Sequence, residues 1–202
     1  MAAIRSFVAI ELPEAVRAAL TRLQEEVRAG GGGMKWVEPR GIHLTLKFLG
    51  SVEEAKVPAL VQALTRACEG FGPFEVALSG LGVFPNPSRP RVAWVGLSGG
   101  VEKLLRLQEG MEKVLSPFGF PREDRAFTPH LTLARLKEGV APDEARAFGQ
   151  AFLRASPEAV SFNVEGISLM KSQLTPSGAI YTRLAFIPLR VVGQFECKRK
   201  GS

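Results

Sequence analysis

The sequence predicts an α+β fold built from two similar halves, and two observations carry that prediction. One order of elements, strand–helix–strand–helix–strand, occurs over about 4–84 and again over 91–170. The tetrapeptide His-Leu-Thr-Leu occurs at 43–46 and at 130–133, and these copies hold the chain's only two histidines. Matching landmarks keep a nearly constant offset: Val8-Ala9 against Val92-Ala93, His43 against His130, Phe74 against Phe162. Two copies are too few for a solenoid. The expected architecture is therefore bilobal with an approximate two-fold axis: two facing, mainly antiparallel sheets, helices outside and a central cleft.

The elements follow in order. Residues 4–12 alternate and then run apolar, as a buried strand does. Pro13 can open a helix, and Val16, Leu20, Leu23 and Val27 give 14–29 one apolar stripe. Gly30 to Gly33 stop that helix; no Lys-Ser/Thr follows, so they read as a connection rather than a phosphate-binding loop. A strand at 41–50 ends at Gly50, a helix covers about 53–69, and a strand or strand pair covers 74–84. The Pro-rich stretch 85–90 is the best internal boundary. The second copy then runs strand 91–97, helix 100–116, strand 129–136, helix 142–154 and strand 161–170. A last strand at 179–189 lies beyond it and completes a sheet edge.

The expected unit is one bilobal domain over 1–192 with a basic tail at 193–202. No run approaches the roughly 18 apolar residues of a membrane span, and 7–12 is too short for a signal segment. Cys68 and Cys197 lie far apart and form no framework. A reduced, cytoplasmic location and a monomer are expected. The net charge of +6 suggests a polyanionic partner, but Lys198, Arg199 and Lys200 supply half of it from the tail.

The chemistry rests on the repeated tetrapeptide. Side chains alternate across a strand, so His43 and Thr45 share one face while Leu44 and Leu46 take the other, and His130 and Thr132 repeat the pattern. A two-fold axis would bring both polar faces to one cleft. Opening a phosphodiester needs a water deprotonated on one side of phosphorus and the departing oxygen protonated on the other. Imidazole, with a pKa near 6.5, can be neutral in one copy and protonated in the other. The threonine hydroxyls suit the non-bridging phosphate oxygens. A zinc site would want three or four ligands with short spacings, which two distant histidines and two cysteines lack, and no nucleophile-elbow motif supports a serine triad. No cofactor is therefore expected.

Softer candidates surround this pair. Phe7 and Trp36 could stack a base, and Tyr181 could line the cleft. Lys47 falls on the His43 face by parity, and Lys171 follows the second-copy strand toward the rim.

At these residues the chain resembles the two-histidine phosphoesterase superfamily, in particular its LigT-like RNA 2′,3′-cyclic phosphodiesterases, also called 2′-5′ RNA ligases. The paired motifs match at His43/Thr45 and His130/Thr132, and the likeness extends through FVAIELP (7–13), KWVEPRGIHLTLKFLG (35–50), RPRVAWVGL (89–97), FTPHLTLAR (127–135) and LMKSQLTPSGAIYTRL (169–184). The resemblance implies a bilobal fold without metal, acting on RNA ends or small cyclic nucleotides. It implies hydrolysis of a terminal 2′,3′-cyclic phosphate to a 2′-phosphomonoester, with 2′-5′ joining of RNA as the reverse type of reaction. It also implies that Arg135 holds phosphate. The odd offset of Arg135 from His130 puts it on the leucine face of an ideal strand, so a bulge, twist or strand end has to re-aim it. The adopted order has His130 activating water and His43 protonating the departing 3′ oxygen, although the internal symmetry leaves the two roles open. A nucleotide-binding module that senses without turnover is the alternative.

Overall fold

A computed structural model describes residues 3–28, 33–175 and 178–191. The first half comprises β1 (Ala3–Glu11), α1 (Glu14–Arg28), β2 (Met34–Trp36), β3 (His43–Glu53), α2 (Val57–Cys68) and β4 (Phe74–Phe84). The second comprises β5 (Val92–Gly99), α3 (Val101–Leu115), β6 (His130–Leu136), α4 (Pro142–Phe152), β7 (Ser161–Val164), β8 (Gly166–Thr175) and β9 (Gly178–Pro188). Gly30 to Gly32 and the tail from 193 onward, with Cys197, lie outside the described residues.

The helices obey simple end rules. A proline at the first turn of α2 and of α4 occupies a place where no backbone N–H is needed. Glu14 opens α1 and Arg28 closes it, and Asp143 and Glu144 open α4, so charge complements the helix dipole. Each helix buries one stripe: Leu20 and Leu23 on α1, Leu60 and Leu64 on α2, Leu104, Leu107 and Met111 on α3, Phe148 and Phe152 on α4. All of these join one hydrophobic cluster with Val8, Ile10, Leu44, Leu46, Leu131, Leu133, Ile167 and Leu169 of the strands. Each fully buried leucine contributes about 1.5–3 kcal/mol, which makes this the dominant cohesive region.

The strands run in the order β7-β4-β5-β6-β3-β1-β8-β9, with β2 pairing to β6 beside the main path. Every pairing between these strands is antiparallel. Two facing sheets were expected; the strands instead form one connected sheet. The histidine strands β3 and β6 join its halves through the pairing Leu44↔Leu131. The sheet must also curl. β7 is one edge and β8 lies next to the other, yet Glu165 alone separates them in the chain. One residue spans at most about 3.6 Å, so the two ends of the sheet are drawn together.

The same turn corrects a second expectation. The single strand expected at 161–170 is two strands with different partners: β7 pairs with β4, while β8 pairs with β1 and β9. Gly166 permits the switch, since a Cβ there would sit 2.5 Å from the Ile187 carbonyl oxygen. β2 was not anticipated; three residues are too short to show a period. The loop at 85–90 links β4 and β5, which pair along most of their length.

Candidate functional site

Both histidines stand at the first residue of their strands, β3 and β6. The antiparallel pairing Leu44↔Leu131 sets His43 beside Thr132 and Thr45 beside His130, on the face opposite the buried leucines. The histidines are then diagonal neighbours, with backbones about 7–8 Å apart. The expected convergence of two imidazoles and two hydroxyls is thus present, and all four side chains line one cavity of about 440 Å³.

Each imidazole is anchored in the same way. His43 Nδ1 lies 2.8 Å from the Gly41 carbonyl oxygen, and His130 Nδ1 lies 2.7 Å from the Thr128 carbonyl oxygen. A carbonyl only accepts, so Nδ1 carries the proton in both rings. This leaves Nε2 as the atom free to take or give a proton. The aromatic surroundings differ. His43 stacks on Phe7 at 4.7 Å between ring centroids and meets the edge of Tyr181 at 5.0 Å. His130 meets Phe84 edge-on at 5.0 Å, with Trp94 at 6.0 Å. Burial pushes the His43 pKa below its ordinary value, opposed by the Gly41 carbonyl and by the charge of Glu11.

The other candidates divide. Tyr181 and Arg135 line the cavity. Phe7 lines it too but is buried, and His43 occupies one of its faces. Trp36 lies elsewhere, edge-on to Phe148 of α4 with the Arg28 guanidinium above its ring. Lys171 sits opposite Ser6 on β1 and is not a lining residue. Lys47 is on the other side of the sheet, 2% exposed; its Nζ donates to Glu112 Oε2 at 2.5 Å and to the Pro121 carbonyl at 2.8 Å.

One device explains both Lys47 and Arg135. Against β1, the register passes from Val8↔Lys47 to Ala9↔Thr45, leaving Leu46 as an extra residue. Against β5, it passes from Ala93↔Ala134 to Trp94↔Thr132, leaving Leu133 extra. Each bulge follows the threonine and reverses the alternation beyond it. Lys47 and Ala134 turn inward, while Phe48 and Arg135, each five residues past a histidine, turn to the cavity. Phe48 was missed. The internal repeat could have found it, since it is the first-copy counterpart of Arg135. Arg5 was also missed; it lines the cavity on the face of β1 shared with Phe7.

Among the described residues, no group of three or more His, Cys, Asp or Glu is placed to hold a metal ion, and no helix is long and apolar enough to cross a membrane. The arrangement brings two imidazoles, two hydroxyls and a guanidinium to one cavity, groups that can exchange protons and bind a small anion.

The family model described as LigT like Phosphoesterase matches twice, over residues 10–94 and 95–181. A curated relative from Methanothermobacter thermautotrophicus, named RNA 2′,3′-cyclic phosphodiesterase, is 36% identical over 89% of this chain and 95% of its own. A crystal structure from Thermus thermophilus superposes with a TM-score of 0.78 at 35% identity, covering 94% of this chain and all of that one. E. coli LigT complexed with 3′-AMP gives 0.76 at 26% identity, covering 93% of this chain and 99% of its own. With matches that together span most of its length and take in both histidine strands, this chain belongs to the LigT-like phosphoesterase family.

Proposed function

We propose that this protein hydrolyses the terminal 2′,3′-cyclic phosphate of RNA to a 2′-phosphomonoester, with His43 and His130 as an acid–base pair and no metal ion. The observation that carries the reading is the matched anchoring of the two rings through Nδ1, with both histidines lining one cavity. The names of the relatives support the reaction class.

In this reaction a water oxygen bonds to phosphorus while the bond from phosphorus to the 3′ oxygen breaks. Nε2 of one imidazole takes the water proton, and Nε2–H of the other protonates the 3′ oxygen. Such assistance is worth typically about 10²–10⁴ in rate. Thr45 and Thr132 donate to the non-bridging oxygens, and Arg135, brought round by the bulge at Leu133, adds a charged donor. The adopted order makes His43 the acid. Desolvation disfavours its protonated form, and an anionic phosphate beside it favours that form, so the substrate's charge helps to load the acid. With a 5′-hydroxyl in place of water, the same pair joins RNA ends through a 2′-5′ bond.

The bilobal reading of the domain belongs to this proposal. Exchanging β1 with β5, β3 with β6 and β4 with β8 reverses the inner strand order β4-β5-β6-β3-β1-β8 into itself, and the family model matches the two halves in turn, which supports a duplication about the β3–β6 pair. A single such unit is proposed to act as a cytoplasmic monomer.

The test is incubation of metal-free protein, in EDTA, with 2′,3′-cyclic AMP and with RNA ending in a 2′,3′-cyclic phosphate. A 2′-phosphate product, lost in His43→Ala and in His130→Ala, is expected. Turnover abolished by EDTA would overturn metal independence, and binding without turnover would favour a sensing module.

A further inference from the structure

The histidine pair has one acid beside it that the reaction above leaves unused. Glu11 ends β1 and is the strand partner of His43. By alternation it shares the cavity face of β1 with Phe7 and Ala9. Directly opposed residues on one face start about 4.5–5.5 Å apart at Cβ. Two donors fix the carboxylate, both at Oε2: Ser168 Oγ at 2.6 Å and Arg183 Nη1 at 3.0 Å. Ser168 is 1% exposed and pairs with Ala9, so this anchor is built into the sheet. Among the described residues no hydrogen bond joins Glu11 to His43, so the carboxylate acts on the ring through space.

The second copy has no such group. Its register Trp94↔Thr132 and Gly96↔His130 repeats Ala9↔Thr45 and Glu11↔His43, so Gly96 stands where Glu11 stands. A Cβ on Gly96 would lie 2.7 Å from the Ser79 carbonyl oxygen, which closes that place to a side chain. Two rings anchored alike through Nδ1 thus differ by one carboxylate. The other titratable groups around His43 are His130 on β6, Tyr181 and Arg183 on β9, and Arg5 and Arg135 in the cavity; none is an acid. The turn Pro39–Gly41 adds Glu38 and Arg40 at its ends, both exposed and of opposite sign. Burial works against a proton on His43, while the Gly41 carbonyl and the Glu11 charge work for it.

We propose that Glu11 is a positioning residue for the proton: it holds the imidazolium on His43, and the glycine in its place beside His130 leaves that ring neutral to take a proton from water. The proposal rests on the function proposed above and adds the residue that breaks the internal symmetry, making His43 the acid and His130 the base.

The test is NMR titration of the two imidazoles, assigned with His43→Gln and His130→Gln, beside the pH profile of kcat/KM on 2′,3′-cyclic AMP. Glu11→Gln keeps the shape of the side chain and should lower the His43 midpoint while leaving that of His130 in place. Glu11→Asp should keep most of the wild-type midpoint. Arg183→Gln removes the cation that offsets the carboxylate and should move His43 the opposite way. On the alkaline side the rate follows the fraction of His43 still protonated, so Glu11→Gln should lose about three- to tenfold there, the effect of one charge through partly screened space. On the acid side the rate follows the fraction of His130 that is neutral, and Glu11→Gln should match wild type. An unmoved His43 midpoint, or an equal loss at every pH, would overturn the role of Glu11 and leave the hydrolysis standing. A gain on the acid side with no alkaline loss would make His43 the base and overturn the assignment. Wild-type protein that turns over neither 2′,3′-cyclic AMP nor an RNA end would remove the proposed function and the acid role with it.

Discussion

Replacing Lys47 by methionine separates a structural lysine from a phosphate-binding one. Lys47 is buried, and its ammonium meets the Glu112 carboxylate and the Pro121 carbonyl; the other Glu112 oxygen accepts from Gln108 Nε2 at 2.9 Å. Methionine keeps the length of the side chain and removes the charge, which leaves Glu112 buried without its counter-ion. Breaking one side of a buried pair costs about 3–5 kcal/mol. Pro121 is exposed, so water replaces the donor it loses and adds little. In a chain of 202 residues, 1 kcal/mol moves Tm by about 2–4 °C, so the expected drop is roughly 6–20 °C. Lys47→Met/Glu112→Leu removes both charges and should return close to wild-type stability, because burying a pair of ions is itself costly. The assay is calorimetric or denaturant unfolding of both variants, with kcat/KM on 2′,3′-cyclic AMP measured below the transition. The single variant should lose stability and keep its catalytic rate. A Lys47→Met protein with wild-type Tm and a hundredfold loss of kcat/KM would refute the reasoning, since it would place the ammonium on the substrate.

Four further outcomes are expected. His43→Ala and His130→Ala should each lower kcat by about 10²–10⁴ with an unchanged fold by circular dichroism. Arg135→Ala should lower kcat/KM by about ten- to a hundredfold, and Arg135→Lys should recover part of that loss, because a point charge replaces a forked donor. The pH dependence follows from His43, whose pKa burial lowers below the ordinary imidazole value of 6.5. Above pH 6.5 neither folded nor unfolded chain holds this proton, so the group costs nothing; as pH falls below 6.5 the unfolded chain takes it first and stability declines until the folded value is passed. Tm should therefore fall more steeply with acid in the wild-type protein than in His43→Gln, and inorganic phosphate should raise the His43 titration midpoint seen by NMR. Finally, burial pushes the Cys68 thiol up to about 12, so a Cys197→Ser variant should react with a disulfide reagent at pH 8 only after unfolding.

The sequence by itself determined the parts that depend on local chemistry. A two-residue period and a leucine pair were enough to put His43 with Thr45, and His130 with Thr132, on one face of a strand, because side-chain alternation is a steric property of the extended backbone. The helices were legible for the same kind of reason, an apolar stripe that follows a proline or an acid. Alternation misplaced Lys47 because the bulge at Leu46 exists only in the pairing of β3 with β1. For Arg135 it left the placement to a bulge or twist, and the register of β6 against β5 supplied one at Leu133. Trp36 reads alone as either a base-stacking or a core aromatic, and the tertiary packing sets it against Phe148 of α4. The split at Glu165 is likewise decided by partners a hundred or more residues away in the case of β8 and β1. Register and bulges are settled by which strand lies alongside, and strand neighbours here come from distant stretches of chain. The identities of the candidate groups are local; which way the residues beyond them point is tertiary.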